Sequence, residues 1–220
     1  MNCSIEVGAR GSPLSRAQLD EVLHELLQYN AKVTFHPIWV ETRGDKDQKT
    51  SLRTLERSDF FTHEIDTLQL ARGCRIAIHS AKDLPDPLPK GLTLVALTRG
   101  VDPSDALVLR DHQTLENLPL KAKIGTSSLR REKNILELRP DLISVDIRGD
   151  IHTRLALLDQ GIVDGVVVAE AALIRLKLTH RTHIPLCGER APLQGQLAVV
   201  AWQGDEEMCQ LFRCIDRREV

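Results

Sequence analysis

Aromatic side chains are scarce in this sequence. Tryptophan, tyrosine and phenylalanine together make up 3% of its 220 residues. Proteins that bind single-stranded nucleic acids stack bases on aromatic side chains along a basic groove. A basic excess is also missing, because 31 acidic side chains offset 29 basic ones and leave a net charge of -2. The composition therefore argues against a nucleic-acid partner.

Paired cysteines and long apolar runs are missing too. The five cysteines are scattered and include no CxxC pair, so neither a disulfide framework nor a zinc site is indicated, and no metal is expected. The longest apolar stretch, Gly165–Ile174, contains Glu170 and is too short to span a bilayer. The N-terminus has no signal-peptide pattern. We therefore expect a cytoplasmic protein with reduced thiols and no membrane partner.

Short β-rich runs alternate with helical patterns, which is typical of α/β proteins with largely parallel sheets. Ser12 and Pro13 supply an N-cap and a first-turn proline for a first helix that contains Leu14–Leu26. The predicted strands are Ser4–Ala9, Val33–Val40, Arg75–His79, Leu92–Leu97, Ala106–Leu109, Ala122–Gly125, Ile143–Asp146, Gly165–Val168 and Leu197–Trp202. The further predicted helices are Phe60–Ala71 (ended by Gly73), Leu129–Leu138, Ile151–Gln160, Ala171–Leu176 and Glu206–Arg217.

Two stretches with glycine and proline show neither the strand nor the helix period. They are Thr98–Ser104 and Pro185–Gly195. If both are crossovers, residues 1–98 and 192–220 form a discontinuous first lobe and residues 105–186 a second lobe, joined by hinges at 99–104 and 187–191. Two lobes joined by two strands form a hinge architecture with a cleft between the lobes. One continuous sheet is the alternative that the pattern leaves open.

Cationic and hydroxyl side chains gather where predicted strands run into helices. Ligands bind at the carboxyl ends of strands in open α/β sheets. Helix N-termini add positive partial charge there, and arginine can donate hydrogen bonds to both oxygens of a carboxylate. The junction residues are Arg10, Ser12, Ser80, Lys82, Thr126, Ser127, Ser128, Arg130, Arg131, Arg148 and Arg154. Together they predict a site for a ligand with several negative charges.

Asp83 is a carboxylate among these cations. An ion pair with Lys82 or a turn before Pro85 would explain it structurally, and both remain open. In a site for a polyanion, the same carboxyl group can donate a proton to a leaving amine. It can also stabilise positive charge that develops on a substrate nitrogen.

Seven segments of the sequence match the porphobilinogen deaminase family in order. They are Arg10-Gly11-Ser12-Pro13-Leu14 through Gln18, Thr42-Arg43-Gly44-Asp45, His79-Ser80-Ala81-Lys82-Asp83-Leu84-Pro85, Asp102-Pro103-Ser104-Asp105-Ala106, Gly125-Thr126-Ser127-Ser128-Leu129-Arg130-Arg131, Arg139-Pro140-Asp141-Leu142 and Ile147-Arg148-Gly149. The chain resembles this family over Ser4–Trp202. The resemblance implies a two-lobed α/β fold similar to the type II periplasmic binding proteins, with the active site in the cleft.

The resemblance also implies an activity and roles for single residues. The family is a monomeric transferase of heme biosynthesis that condenses porphobilinogen units, with loss of ammonia, into the linear tetrapyrrole hydroxymethylbilane. Asp83 would assist amine loss and hold the pyrrole nitrogens, Phe61 would pack near the pyrroles, and Gln18 would help at the terminal ring. Arg10, Lys82, Arg130, Arg131, Arg148, Arg154 and Arg175 would bind acetate and propionate groups, and Ser12, Ser80, Thr126, Ser127 and Ser128 would add hydrogen bonds.

Two departures from the family pattern concern a loop and a cofactor. The family's flexible loop carries a Gly-Gly-Lys-Gly run, whereas 53–59 contains no glycine, so we expect a stiffer loop in which Arg53 or Arg57 replaces the lysines. The family holds a dipyrromethane cofactor on a cysteine that follows a glycine pair in a third domain. This sequence has no Gly-Gly-Cys. We therefore expect the third domain to be absent and leave the attachment residue unknown.

These departures leave a second hypothesis open. The chain could be a catalytically impaired remnant, or a protein that binds polycarboxylates or pyrroles on the same scaffold. The presence of Asp83 argues against this reading, because the binding of carboxylates alone does not need that acid. The glycine-free loop and the missing cysteine argue for it.

Overall fold

The computed structural model describes residues 3–29, 32–54 and 58–218, and only the backbone of Cys3 and Thr54. It divides into two compact units. The first unit comprises Met1–Asp47, Arg57–Val101 and Gln196–Val220, and the second comprises Gln48–Glu56 and Asp102–Gly195. The lobe boundaries and the cleft expected from the sequence stay predictions.

Strands and helices alternate through most of the described chain. The strands are β1 (Cys3–Arg10), β2 (Val33–Val40), β3 (Ile76–Ser80), β4 (Leu92–Leu97), β5 (Asp105–Leu109), β6 (Lys123–Gly125), β7 (Ile143–Val145), β8 (Gly165–Ala169), β9 (His183–Leu186) and β10 (Leu197–Trp202). The α-helices are α1 (Pro13–Gln28), α2 (Arg43–Lys46), α3 (His63–Leu70), α4 (Leu129–Leu138), α5 (Ile151–Asp159), α6 (Glu170–Arg175) and α7 (Glu206–Phe212). Short 3₁₀ turns occupy Leu52–Thr54, Asp59–Phe61 and Ala81–Asp83.

The first unit is built on a five-stranded sheet with the order β2-β1-β3-β10-β4. β1 pairs in parallel with β2 and β3, whereas β10 runs antiparallel to β3 and β4. Leu197 at the start of β10 pairs with Ser80 at the end of β3. The loops after β1, β2, β3 and β4 therefore emerge at one edge of the sheet, together with the residues that precede β10.

The second unit is built on another five-stranded sheet, with the order β7-β6-β8-β5-β9. β6 is parallel to β7 and β8, and β5 is antiparallel to β8 and β9. Asp105, the first residue of β5, pairs with Ala169 at the end of β8 and with Leu186 at the end of β9. Asp105 therefore lies at the same edge as the loops that follow β6, β7 and β8.

Both sheets are mixed: the expectation of largely parallel sheets holds for the direction of four strands in each sheet and fails for the fifth. The strand of opposite direction is β10 in the first unit, where the chain returns to that unit, and β5 in the second, where the chain enters it. The described residues form two separate sheets rather than one continuous sheet.

Local sequence explains why the first helix begins where it does. Pro13 occupies the first turn of α1, where its missing N–H costs nothing. The Ser12 hydroxyl oxygen accepts a hydrogen bond from the Ser15 N–H at 3.2 Å. Leu19, Val22 and Leu26 then pack into the core at helical spacing. The start of α1 is thereby held beside the end of β1.

The second sheet is covered on both faces. Ala106 and Val108 belong to one buried cluster, and Leu107 and Leu109 belong to another. Because neighbouring residues on a strand point to opposite faces, β5 is buried on both sides. Two covered faces leave the loops at the edge as the part of this sheet that is open to a ligand.

Gly195 makes the closest backbone approach of any glycine in the second unit. Its φ is +87°, and a Cβ there would lie 2.2 Å from the Asp102 carbonyl oxygen. Gly161 has a similar φ of +72°, but its Cβ would meet only the Arg110 side chain at an ordinary 3.6 Å. The two glycines therefore separate backbone strain from steric overlap.

We expect Gly161→Ala to lower the free energy of unfolding by about 1–2 kcal/mol, the cost of a left-handed alanine. Gly195→Ala should cost about 1–3 kcal/mol more, because a backbone carbonyl has to move. Urea unfolding followed by far-UV circular dichroism measures both. Equal losses in the two variants would show that the contact with Asp102 relaxes without cost.

Candidate functional site

Arg10 is held in a defined pose at the carboxyl edge of the first sheet. Its guanidinium group donates to the Asp45 carboxylate through Nη2 and through Nε, the latter at 3.3 Å. The guanidinium carbon also lies 4.5 Å from the centre of the Phe61 ring, within the range of a cation–π contact. Gly44 makes room for this ring, since a Cβ there would lie 2.2 Å from it.

Asp45 is the residue that orients Arg10, and it stays ionised. Its Oδ2 also accepts from the N–H and the hydroxyl of Thr42, at 3.0 and 2.8 Å. Burial opposes ionisation of this carboxyl group, but the bonds and charge from Arg10 and the bonds from Thr42 outweigh it and lower the pKa of Asp45. Arg10 is thus presented by a fixed anionic support.

Ser12, Gln18 and Ser80 lie at the same edge. Ser12 caps α1, as described above, and Gln18 on that helix donates from Nε2 to the Ser80 hydroxyl at 2.8 Å. Gln18 is buried, while Ser12 and Ser80 are partly exposed. The contact joins α1 to the end of β3 and orients the Ser80 hydroxyl.

Lys82 and Asp83 lie on the 3₁₀ turn that follows β3, and both are partly exposed. His79, the next-to-last residue of β3, lies beneath this edge with 5% exposure. Burial, together with the positive charge of Arg10, lowers the pKa of His79 to about 4. The imidazole is therefore neutral at pH 7, and the charges at this edge come from Arg10, Asp45, Lys82 and Asp83.

In the second unit, the loop after β6 places three hydroxyl groups at the start of α4. Ser128 caps the helix by accepting from the Arg131 N–H at 3.4 Å. Thr126 accepts from the Ser128 N–H at 3.3 Å, and the Ser127 hydroxyl donates to the Ile147 carbonyl. Thr126 and Ser127 are buried. These bonds fix the conformation of the loop. The three hydroxyl groups, which were predicted to bind a ligand, therefore also stabilise the loop itself.

Arg130 and Arg131 share one partner, Asp105. Arg131 donates to its Oδ1 from Nε at 3.0 Å and from Nη2 at 2.6 Å, and Arg130 donates to its Oδ2 from Nη1 at 2.7 Å. Burial opposes ionisation of Asp105, but the two arginines outweigh it and lower its pKa. Arg130 and Arg131, predicted from the sequence to bind a ligand, are thus held by a carboxylate of the chain itself.

Arg154 is a poorly compensated cation near the start of α5. Its Nε donates to the Gly149 carbonyl at 2.9 Å. Burial, with the positive charges of Arg131 and Arg148, lowers the pKa of Arg154 to about 10, although Asp146 and Asp150 oppose the shift. The group stays protonated at pH 7, and the direction of the shift means that this part of the second unit favours an added anion.

Arg175 and Arg53 also belong to the second unit. Arg175, at the end of α6, donates from Nη2 to the Gly195 carbonyl at 2.8 Å. Arg53 pairs with Glu132 on α4 at 2.7 Å and donates to the Ser144 hydroxyl at 3.0 Å. Arg53 is therefore engaged by a carboxylate of the chain itself, and its expected role toward a ligand stays a prediction. Arg57 lies outside the described residues.

The residues predicted from the sequence fall into two groups, one in each unit. Most members of each group stand at the ends of strands or in the loops that follow them, at the carboxyl edge of the sheet. The first contains Arg10, Ser12, Gln18, Phe61, Ser80, Lys82 and Asp83, and the second contains Arg53, Thr126, Ser127, Ser128, Arg130, Arg131, Arg148, Arg154 and Arg175. No role was predicted from the sequence for Asp45, Asp105 or Gln194. A carboxylate that opens an apolar strand is a signal that could have revealed Asp105.

The described part of the chain shows neither a membrane-spanning helix nor a cluster of metal ligands. No helix in residues 3–29, 32–54 and 58–218 is long and apolar enough to cross a membrane. Within those same ranges, no group of three or more histidine, cysteine, aspartate or glutamate side chains is arranged to hold a metal ion.

The fold belongs to a widespread class of two-unit α/β proteins. The chain is similar to an extracellular-binding protein of a probable amino-acid ABC transporter from Bacillus subtilis, with a TM-score of 0.58 and 12% identity over 97% of this chain and 90% of that one. It is also similar to the OxyR2 regulatory domain of Vibrio vulnificus, with a TM-score of 0.55 and 13% identity over 98% and 93% of the two chains. The expected periplasmic-binding-protein-like fold is confirmed.

Sequence comparison identifies the family. The model for "Porphobilinogen deaminase, dipyromethane cofactor binding domain" matches residues 5–210. A porphobilinogen deaminase from Desulforudis audaxviator is 39% identical over 98% of this chain and 71% of its own length, and a probable one from Chlamydia pneumoniae is 40% identical over 94% and 88%. One from Thermus thermophilus is 41% identical over 93% and 68%. The chain belongs to the porphobilinogen deaminase family.

Proposed function

We propose that this chain condenses porphobilinogen units, with release of ammonia, into the linear tetrapyrrole hydroxymethylbilane. Family membership over residues 5–210 supports the reaction, and relatives about 40% identical carry the same enzyme name. Of the two hypotheses that the sequence left open, the transferase is favoured. We further propose that it acts in the cytoplasm as a monomer on a small-molecule substrate.

The observation that carries this proposal is the unbalanced positive charge at the edge of the second sheet. Burial is the largest cause of the lowered pKa of Arg154, and the positive charges of Arg131 and Arg148 lower it further. Such an arrangement costs folding free energy unless a ligand brings negative charge to it. Porphobilinogen carries an acetate and a propionate, so each added unit supplies two carboxylates for arginine forks.

Asp83 is the group that we assign to the chemistry. Loss of ammonia breaks the bond between the aminomethyl carbon and its nitrogen, and the electron pair leaves with the protonated amine. Positive charge then spreads onto the pyrrole nitrogen, where a carboxylate within hydrogen-bonding reach stabilises it. A ring carbon of the growing chain forms the new carbon–carbon bond and loses its proton. Asp83 is supported in this role by its partly exposed position beside Lys82 on the turn after β3.

The family also implies a dipyrromethane cofactor, and the residues present fit its charge. Arg131, Arg148 and Arg154 form a donor set for carboxylates, and with Arg130 they bring four positive charges against the three carboxylates of Asp105, Asp146 and Asp150. When bound, this group supplies a pyrrole ring carbon as the starting point for condensation. We propose that these arginines, with Arg130, hold its acetate and propionate groups, and we leave its covalent attachment unassigned.

Incubation of the purified protein with porphobilinogen tests the function. We expect ammonia and hydroxymethylbilane in a ratio of four to one, the latter detected as uroporphyrin after spontaneous ring closure and oxidation. Intact mass spectrometry of the same samples should show a mass excess of two linked pyrroles that grows by single pyrrole units. Peptide mapping would then locate the adduct among the five cysteines. Binding of porphobilinogen without ammonia release would instead support the binding-protein hypothesis.

A further inference from the structure

Asp105 is a buried carboxylate at the point where two site arginines meet. It opens β5 at the carboxyl edge of the second sheet, and its side chain is 2% exposed. Its two oxygens accept three hydrogen bonds from Arg130 and Arg131, at 2.6–3.0 Å. A carboxylate is costly to bury unless it is paired and hydrogen-bonded, and here both conditions are met.

The shared bond to Asp105 explains how two consecutive arginines come to lie side by side. Neighbouring residues on an α-helix point about 100° apart and do not face each other. Arg130 and Arg131 both lie on the first turn of α4, so helix geometry alone would direct their side chains apart. Asp105 draws both guanidinium groups to one place.

Asp105 leaves the pair with donors and charge to spare. A guanidinium group has five N–H donors, and the hydrogen bonds of Arg130 to Asp105 and to the Glu189 carbonyl both start from Nη1. One carboxylate offsets only one of the two positive charges. The remaining charge and donors suit a ligand carboxylate.

Gln194 holds the same carboxylate from a different part of the chain. Its Nε2 lies 3.0 Å from Asp105 Oδ1, 2.9 Å from the Pro103 carbonyl and 3.0 Å from the Ser104 carbonyl. The amide thus ties the start of β5 to the residues just before β10. Because Asp105 is fixed on this side as well, its position does not depend on the two arginines alone.

We propose that Asp105 is a positioning residue, which holds Arg130 and Arg131 side by side in the pose that receives a carboxylate of the pyrrole substrate. This inference rests on the proposed function for the identity of the substrate. It assigns Asp105 no contact with the substrate, since both of its oxygens face the two arginines.

An electrostatic role and a positioning role of Asp105 predict opposite effects of Asp105→Asn on KM. The substitution removes a negative charge beside two arginines, so a purely electrostatic role predicts tighter anion binding and a lower KM. A positioning role predicts weaker binding, because an amide cannot accept the same three bonds and the arginines separate. We expect the KM for porphobilinogen to rise about 10-fold, the effect of a weakened charge-assisted hydrogen bond, with a smaller change in kcat.

Asp164 provides a matched control at the opposite end of the same two strands. It pairs with Arg110 at 2.9 Å, accepts from the Lys123 N–H at 2.9 Å and precedes β8, whereas Asp105 lies beside the end of that strand. We expect both Asp164→Asn and Asp105→Asn to lower the free energy of unfolding, because each breaks an ion pair, but only Asp105→Asn to change KM. A KM effect that appears in both variants would overturn the proposal, because it would follow from stability alone.

A binding measurement that needs no turnover separates this proposal from the proposed function. Mellitate, a benzene ring with a carboxylate on every carbon, serves as the probe in titration calorimetry. A wild-type chain that binds mellitate about 10-fold more tightly than Asp105→Asn, yet releases no ammonia, supports the positioning role and rejects the function. A wild-type chain that is active, with unchanged KM and mellitate affinity in Asp105→Asn, rejects the positioning role alone.

Asp105→Glu keeps the charge and covers the case in which Asp105→Asn does not fold. The longer side chain shifts the carboxylate by one methylene, so the positioning role again predicts a raised KM. An unchanged KM in a folded Asp105→Glu variant would overturn the proposal. Failure of both variants to fold would also overturn it, in favour of a purely structural role for Asp105.

Discussion

Asp83→Asn should lower the rate of ammonia release about 1,000-fold, within the range that a positioned acid–base group contributes. The amide keeps the size and most of the hydrogen-bonding geometry of the carboxylate but lacks its negative charge and its titratable proton. It therefore stabilises neither the departing amine nor the positive charge on the pyrrole nitrogen. The KM for porphobilinogen should change little, because the arginines bind the carboxylates. Single-turnover release of ammonia, measured by quenched flow, isolates this step.

Asp86→Asn is the matched control for this experiment. Asp86 lies three residues further along the same loop and is exposed, whereas Asp83 is partly exposed on the 3₁₀ turn. The control should keep ammonia release within about twofold of wild type, as surface substitutions usually do. Activity of Asp83→Asn near that of Asp86→Asn would remove Asp83 from the chemistry and leave the arginines as a binding site.

Strands and helix starts were the part of the fold that the sequence could predict. β2, β4, β10 and α4 have the predicted bounds, and α1 begins after the predicted Ser12 cap. In these segments local signals agree with the tertiary structure, because apolar periodicity and cap residues act over a few positions.

Strand direction and one edge strand could not be predicted. β9 was missed because Pro185 and the glycines that follow it indicate a crossover, yet proline is tolerated on an edge strand, and β9 is the edge of its sheet. The helix predicted to reach Ala71 before Gly73 ends at Leu70, and the Gly73 N–H donates to the Leu68 carbonyl at 2.9 Å, but the residue with a left-handed backbone is Arg72, with a φ of 64°. The missed strand depends on contacts far apart in sequence, because β9 pairs with β5.

The cations of the site could be predicted, and their supports could not. Junction loops after strands are local features, so Arg10, Arg130 and Arg131 could be picked out. The carboxylates that orient them lie 35 positions from Arg10 and 26 from Arg131, and only the folded sheet brings each pair together. The sequence therefore predicts that a positive charge is present at the site. The direction in which the arginine side chain points depends on a partner that only the sheet topology brings close.

The lowered pKa of Arg154 underlies the second prediction with a large expected effect. Arg154→Met should raise the KM for porphobilinogen about 100-fold, since a charge-assisted arginine–carboxylate contact contributes about 1.5–3 kcal/mol. The same substitution should leave the free energy of unfolding unchanged or raise it by up to about 1 kcal/mol. Burial and the charges of Arg131 and Arg148 disfavour this cation in the folded chain, and the dipole at the start of α5 disfavours it further.

Arg110→Met should show the reverse pattern and completes the test. Arg110 is paired with Asp164 and donates to the Val163 carbonyl at 3.1 Å, so its loss leaves a partly buried carboxylate without its ion-pair partner. We expect a free energy of unfolding lower by about 1–3 kcal/mol and an unchanged KM, from urea unfolding and steady-state kinetics on the same samples. If Arg154→Met lost stability as Arg110→Met does, Arg154 would be a structural cation, and the charge imbalance around it would no longer indicate a carboxylate site.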